Sequence, residues 1–453
     1  MSKVWSWLDI PILLSLIGLS SAMLSFATKT VLMYNADVRL YILSFVPEEF
    51  QWPAFCVYCV FMSLLACYVS QLICKESVGG GLADMKTILG GVVKPVLLSR
   101  KLIVAKTLGL WLSLMGGLSV GREGPFVHVS GAIADQLMKL EPFRHIHRQD
   151  SKRLEILACA CASGVSATFG NAFGGVLFSI EFTSSAYMVR TLPKAFLTSV
   201  VAMLAFLFLG VSDELALFRG ENQSIYILPK MSEMLVFFLL GLGGGLLGIV
   251  FVLLVELITT LRKALLDPKT LPKYAYLTVL NNPLCCLRNI THIFALCIGK
   301  QWICGAMVPH AKKGSFGLLQ FLFSADKINP EMLSSLALFG VYKFIATILS
   351  VTLPLPVGLF SPTFVIGGLL GRVLGEVLQS YPEFRGYAPW EYALLGAAAF
   401  STGVTRAIST SVIIFELACQ PHLGLPLSVV VLTAHFTGNR FSKNVYDVLV
   451  GTT

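Results

Sequence analysis

The chain has 453 residues, of which 55% are hydrophobic and only 13% charged, with a formal charge of +9. A soluble globular domain carries about 25% charged residues, so the composition argues against a soluble enzyme, and 31 phenylalanines exclude a disordered chain. Length and apolar content together predict an all-α polytopic membrane protein.

A bilayer crossing needs about 20 mostly apolar residues. In chain order the sequence predicts spans at about 8–32, 54–74, 103–120, 154–181, 193–211, 234–261, 288–305, 332–353, 362–379, 391–418 and 424–438. The first run, Leu13 to Leu32, has no small-residue cleavage site and reads as a retained helix. Several spans are short or interrupted by Gly and Pro, and 234–261 is long enough to require a steep tilt. Broken helices are tolerated in a bilayer only where they line a cavity or are buried in protein.

Between the spans, basic residues fall in short breaks: Lys75 and Lys86, Arg100 and Lys101, Arg144 to Lys152, and Arg262 to Lys273. That is the placement of cytoplasmic loops under the positive-inside rule, and it lacks the long stripe of a nucleic-acid binder. Most of the eleven cysteines, among them Cys67, Cys159, Cys161, Cys297 and Cys419, lie in apolar runs and read as small buried hydrophobes. Cys56 and Cys59 have no second pair at zinc spacing, and Cys285 and Cys286 have no paired histidines, so no metal site is expected. Two glycosylation sequons occur, at Asn222 in a loop expected outside and at Asn289 beside a basic break.

Two motifs recur. Gly121-Arg122-Glu123-Gly124-Pro125-Phe126-Val127 returns in the later part of the chain as Gly358-Leu359-Phe360-Ser361-Pro362-Thr363-Phe364-Val365. The run ending at Glu181 returns, at almost the same offset, as the run ending at Glu416. Nearly equal offsets predict two structural halves, 1–225 and 226–453, and an odd set of crossings in each would invert them with respect to each other.

Arg122 and Glu123 are charges set between apolar stretches, where a charge is costly and marks function. Pro125 suits the first turn of a new helix reaching about Met138, whose first N–H groups and partial positive charge make an anion site. The Glu123 carboxylate can occupy such a site itself, and a tethered carboxylate that competes with a free anion is a gate. The alternative is that Arg122 and Glu123 pair structurally with other charges. Pro362 and Ser361 open a second helix in the same way, with the N–H groups of Leu359 and Phe360 just ahead of its first turn. Gly79-Gly80-Gly81 permits close backbone approach to a ligand or to another helix. Tyr446 offers a phenolic donor near the C-terminus, or serves as an interfacial aromatic. His128, on the Glu123 helix, reads as a packing histidine.

These motifs resemble the CLC family of chloride channels and proton-coupled chloride exchangers, of the eukaryotic type, from about Gly79 to Tyr446. GREGPFVHVSG and GLFSPTFVIGG carry the resemblance, supported by Gly174 to Glu181 and Gly396 to Ser401. It implies a CLC-type inverted repeat of broken, tilted helices and a homodimer with one pore per subunit. It implies that Glu123 is the gate, that Leu359 and Phe360 are second-half backbone donors, and that Tyr446 is the pore tyrosine. The expected anion-binding set is Gly80, Arg122, Gly124, Leu359, Phe360 and Tyr446. Chloride is then the transported ligand, and no cofactor is expected. The expected location is a plasma or intracellular organelle membrane.

Three features depart from the family's pattern. Gly80 stands where the family's GSGIP segment has a serine, and Ala83 replaces its proline, which opens the choice of anion. Phe182 stands where exchangers commonly carry a proton-passing glutamate, so a gated passive channel is favoured over a proton-coupled exchanger. The paired CBS domains of eukaryotic relatives are not in this sequence, which ends at Thr453. The sequence holds no HExxH, intramembrane aspartate pair or supported serine–histidine arrangement, so an enzyme is not expected.

Overall fold

The computed structural model describes residues 2–92, 94–182, 191–209, 229–266, 321–324, 328 and 330–452. The first half contains α1 (Ser2–Ser44), α2 (Glu48–Ile73), α3 (Leu82–Leu89), α4 (Arg100–Met115), α5 (Glu123–Met138), α6 (Arg144–His147), α7 (Asp150–Phe169), α8 (Phe173–Phe182) and α9 (Leu192–Phe208). The second contains α10 (Met231–Leu266), α11 (Pro330–Val351), α12 (Phe360–Leu378), α13 (Pro389–Thr405), α14 (Ser409–Ala418), α15 (Gly424–Phe441) and α16 (Val445–Thr452). Among the described residues there is no sheet, only an isolated antiparallel bridge between Gly121 and Gly358.

The chain is an all-α multi-pass membrane protein. Five described helices, α1, α2, α10, α11 and α12, are long and apolar enough to cross a bilayer. Their outward faces are apolar too, with Leu16 and Met23 of α1 and Leu239, Leu246 and Leu253 of α10 exposed. Such a surface is stable against lipid tails and unstable against water. At 36 residues, α10 is about 54 Å long, against a hydrocarbon core of about 30 Å. It therefore crosses at a tilt, as its sequence requires.

Two predicted spans are not single helices. The run 154–181 divides into α7 and α8 at Gly170, whose φ of 68° ends α7 in a left-handed cap. The run 391–418 divides into α13 and α14 at Arg406, with φ of 62°. Hydropathy averaged over a span does not reveal either break, because the polar and charged residues at them, Asn171 and Arg406, are outweighed by the apolar runs on both sides. The predicted span 288–305, Cys285, Cys286, Cys297, both sequons and the basic break beyond Leu266 lie outside the described residues.

The packing pattern is written twice. In the first half α1 packs on α7 and α9, α5 on α7, and α7 on α9; in the second α10 packs on α13 and α15, α12 on α13, and α13 on α15. Close crossings use glycine, as membrane helices do when lipid gives no hydrophobic drive for association. A Cβ added to Gly367 would collide with the Gly396 carbonyl, and one added to Gly248 with the Gly403 backbone. Corresponding residues also meet each other across the repeat. The Gly121 N–H donates to the Gly358 carbonyl at 2.7 Å, and the Gly358 N–H returns to Gly121 at 2.9 Å. The Glu181 carboxylate accepts the N–H groups of Ile408 and Ser409 at 2.7 and 2.9 Å, at the start of α14. The Glu416 carboxylate accepts those of Ala172 and Gly174 at 3.0 and 2.9 Å, at the start of α8. When residue i contacts j and the counterpart of j contacts the counterpart of i, a two-fold relates the parts.

Candidate anion site

The Gly121–Gly358 bridge fixes the site, because the next residues on each strand begin a helix. Just past Gly121, α5 starts at Glu123; just past Gly358, α12 starts at Phe360. A helix start leaves its first N–H groups without intrahelical partners and carries a partial positive charge. Leu359 and Phe360 are buried, and their N–H groups meet no acceptor among the described residues. The Phe360 ring is held edge-on by Phe169 at 5.0 Å and stacks on Phe364 at 6.2 Å, which locks the first turn of α12.

The buried Glu123 carboxylate lies on the start of α12, not on its own helix. It accepts the Ser361 N–H at 3.3 Å and the Ser361 hydroxyl. The reason is geometric: side chains on a helix lean toward its N-terminus, so a first-turn residue projects beyond the helix and into whatever faces it. The sequence places a carboxylate at a helix start but cannot say which start, and the partnership with Ser361 is not readable from it.

Two further segments close on this point. Gly80 precedes α3, and its carbonyl lies 2.9 Å from where a Cβ on Gly124 would stand. A Cβ on Gly80 would in turn meet the Val357 carbonyl at 3.0 Å. Gly79 donates to the Leu355 carbonyl at 2.8 Å, tying the glycine segment to the bend before α12. Residue 80 is therefore packed against backbone from both halves, where a larger side chain is crowded. The buried Tyr446, on α16, is within electrostatic range of the Glu123 carboxylate. Its helix is joined to α3 by an ion pair between Lys86 and Asp447 at 2.9 Å. Gly80, Glu123, Gly124, Leu359, Phe360 and Tyr446 are thus brought together.

The Arg122 guanidinium donates to the Thr168 carbonyl at 3.0 Å, in the last turn of α7. There a cation complements the helix's negative end. Phe182 is the last residue of α8, and its side chain lies outside the described residues. His128 is fully buried and satisfied: one ring nitrogen is 2.8 Å from the Leu97 carbonyl and the other 3.0 Å from the Lys106 ammonium. Among the described residues no cluster of His, Cys, Asp or Glu is arranged to hold a metal ion.

A site of this kind is built from backbone donors and helix starts, with one tethered carboxylate. Donors so arranged can accept a small anion without a full countercharge. Comparison with known proteins agrees: the family profile described as voltage gated chloride channel matches residues 62–439. The chain belongs to that family. Chloride channel protein F of Dictyostelium discoideum is 31% identical over 426 residues, which is 88% of this chain and 50% of that protein. A crystal structure of a eukaryotic CLC transporter superposes with a TM-score of 0.81 at 29% identity, covering 99% of this chain and 75% of that one. A slow cyanobacterial Cl-/H+ antiporter shares the fold, with a TM-score of 0.78 at 18% identity over 98% of this chain and 97% of that one. The chain spans about half or less of the curated relatives it matches. This CLC fold accounts for the broken helices and the twofold packing.

Proposed function

We propose that this CLC protein conducts chloride, or a similar small anion, through a gated passive pathway. The observation that carries the reading is the Glu123 carboxylate seated on the Ser361 donors at the start of α12. A carboxylate there is a stand-in for an anion held at the same place by main-chain N–H groups. An arriving anion takes the donors of Leu359, Phe360 and the Gly80 and Gly124 region, with the Tyr446 hydroxyl beside it. Arg122 supports the motif through Thr168. Glu123 blocks the path when it is bound and frees it when it swings away, on protonation or displacement. The bound anion is cargo, and it leaves because no full countercharge holds it.

Membership of the family and the relatives' names support chloride. Gly80 bears on the choice among small anions, because it removes a hydroxyl from the site. Phe182 supports a channel over a proton-coupled exchanger, since a phenyl ring carries no proton. The two halves divide near residue 225. We read the protein as a homodimer, because it belongs to the CLC family; the paired helices α8 and α14, which expose Phe173, Leu177 and Phe415, offer a face for the second copy. The host membrane is a plasma or organelle membrane.

The test is the reversal potential of purified protein in planar bilayers under opposed chloride and proton gradients. A passive pathway reverses at the chloride equilibrium potential and ignores the proton gradient. A reversal potential that moves with the proton gradient identifies an exchanger, and currents carried equally by chloride and potassium reject anion conduction.

A further inference from the structure

We infer that Arg372 is a positioning residue for the anion donors of the second half: it holds the segment 321–324 against α12, and the Phe323 ring of that segment keeps Phe360 presenting its N–H to the anion. The inference deepens the anion-conduction reading and rests on it. Phe360, Phe364, Gly368, Arg372 and Glu376 are spaced four apart and form one ridge of α12, running from the site to the last turn of the helix. Arg372 is 1% exposed. A guanidinium buried inside a membrane protein is costly and marks function. Its charge is matched on the same helix by Glu376 at 3.2 Å, so what it brings to the ridge is hydrogen-bond donors.

Those donors take two carbonyls of the segment. Arg372 Nη1 donates to the Leu322 carbonyl at 3.0 Å and to the Ser324 carbonyl at 2.7 Å. The segment so held presents Phe323, whose ring meets Phe364 edge-on with centroids 5.8 Å apart, and Phe364 stacks on Phe360 at 6.2 Å. Leu322 and Phe323 also stand 3.6 and 3.8 Å from where a Cβ on Gly368 would lie, so the segment covers the ridge between Phe364 and Arg372. Phe360 is the first residue of α12, where a helix frays. Its peptide is therefore fixed by its ring, pinned between Phe169 and Phe364.

The first half shows what the segment corresponds to. The separation that relates Gly121 to Gly358 also relates Met85 of α3 to Leu322, Gly131 to Gly368, Asp135 to Arg372 and Lys139 to Glu376. The Met85 side chain lies where a Cβ on Gly131 would stand, as Leu322 lies against Gly368. The segment 321–324 is therefore the counterpart of α3, the element that follows Gly80. The ion pair at the end of the ridge is reversed in sign. Asp135, an acceptor, takes the Arg153 guanidinium of α7 at 2.7 Å and pairs with Lys139 at 2.7 Å. Arg372, a donor, reaches backbone carbonyls that a carboxylate cannot bond. The reversal turns a tie to the next helix into a tie to the covering segment.

The experiment is single-channel recording of the full chain against chloride concentration, with the bromide-to-chloride permeability ratio read in the same patches. Arg372→Gln and Phe323→Leu are each expected to raise the half-saturating chloride concentration about fivefold and to shift the permeability ratio. The double variant is expected to do no more than either alone, since both act through one chain of contacts. Arg372→Lys, which keeps a donor, is expected to shift less. Glu376→Gln changes the charge and keeps the carbonyl contacts, and is expected to match the parent. If Arg372→Gln does not reach the membrane, Phe323→Leu, Phe364→Leu and their double variant decide the matter by the same non-additive criterion. A residue that serves folding alone lowers the number of channels and leaves the half-saturation and permeability ratio of each at parent values. That result in a conducting Phe323→Leu protein, additive shifts in a double variant, or a Glu376→Gln shift as large as that of Arg372→Gln overturns the positioning role. A parent protein that passes no anion current overturns the conduction reading, and the positioning role with it.

Discussion

Glu123 and Ser361 are the contact on which the site turns, because they join the halves through a carboxylate where the family's cargo would lie. A hydrogen bond to a charged group contributes about 1.5–3 kcal/mol. Ser361→Ala removes the hydroxyl and leaves the N–H. It is expected to shorten the closed lifetime by about tenfold while voltage and pH still gate the current. Glu123→Ala, by contrast, is expected to leave an open leak with weak dependence on either. Single-channel dwell times measure both. A Ser361→Ala protein with parent closed times would show that the hydroxyl is no latch, and a Glu123→Ala protein that gates normally would remove Glu123 from the mechanism. The carboxylate can be picked out of the sequence because a charge among apolar residues has few structural uses. Its partner cannot, because the contact depends on how α12 is packed against α5.

Among the helices, the short pair α8 and α14 shows how much the repeat does. Each is capped by a glutamate from the last turn of the other, so the start of one helix is held by the end of its counterpart. Loss of a capping side chain costs about 0.5–2 kcal/mol, with a further contribution from the helix dipole. Glu181→Gln and Glu416→Gln are each expected to lower the thermal transition of the detergent-solubilised protein, by similar amounts because the contacts are equivalent. A shift in one variant only, measured by tryptophan fluorescence, would contradict that equivalence. The position and order of most described apolar spans, and the two motif pairs, are legible in the sequence because hydrophobicity and short-range patterns are local. The division of 154–181 at Gly170 and of 391–418 at Arg406 is not, because the polar residues there, Asn171 and Arg406, are averaged away within long apolar runs. The short helices α3 and α16 are too brief for a hydropathy window, yet they carry Gly80 and Tyr446 to the site.

For the whole molecule, the fold is a device for bringing helix starts to one point inside the membrane from opposite sides. Neither half does this alone: Glu123 belongs to one and the donors it rests on to the other. The same two-fold that pairs Gly121 with Gly358 pairs the capping glutamates. Locating an anion is the most direct test of that convergence. Glu123→Gln protein prepared in bromide, with bromide placed by anomalous diffraction, should show a peak at the start of α12 within hydrogen-bond reach of the Ser361 N–H group, where the carboxylate lies in the parent. Bromide confined to other positions, with that helix start unoccupied at high halide, would contradict it.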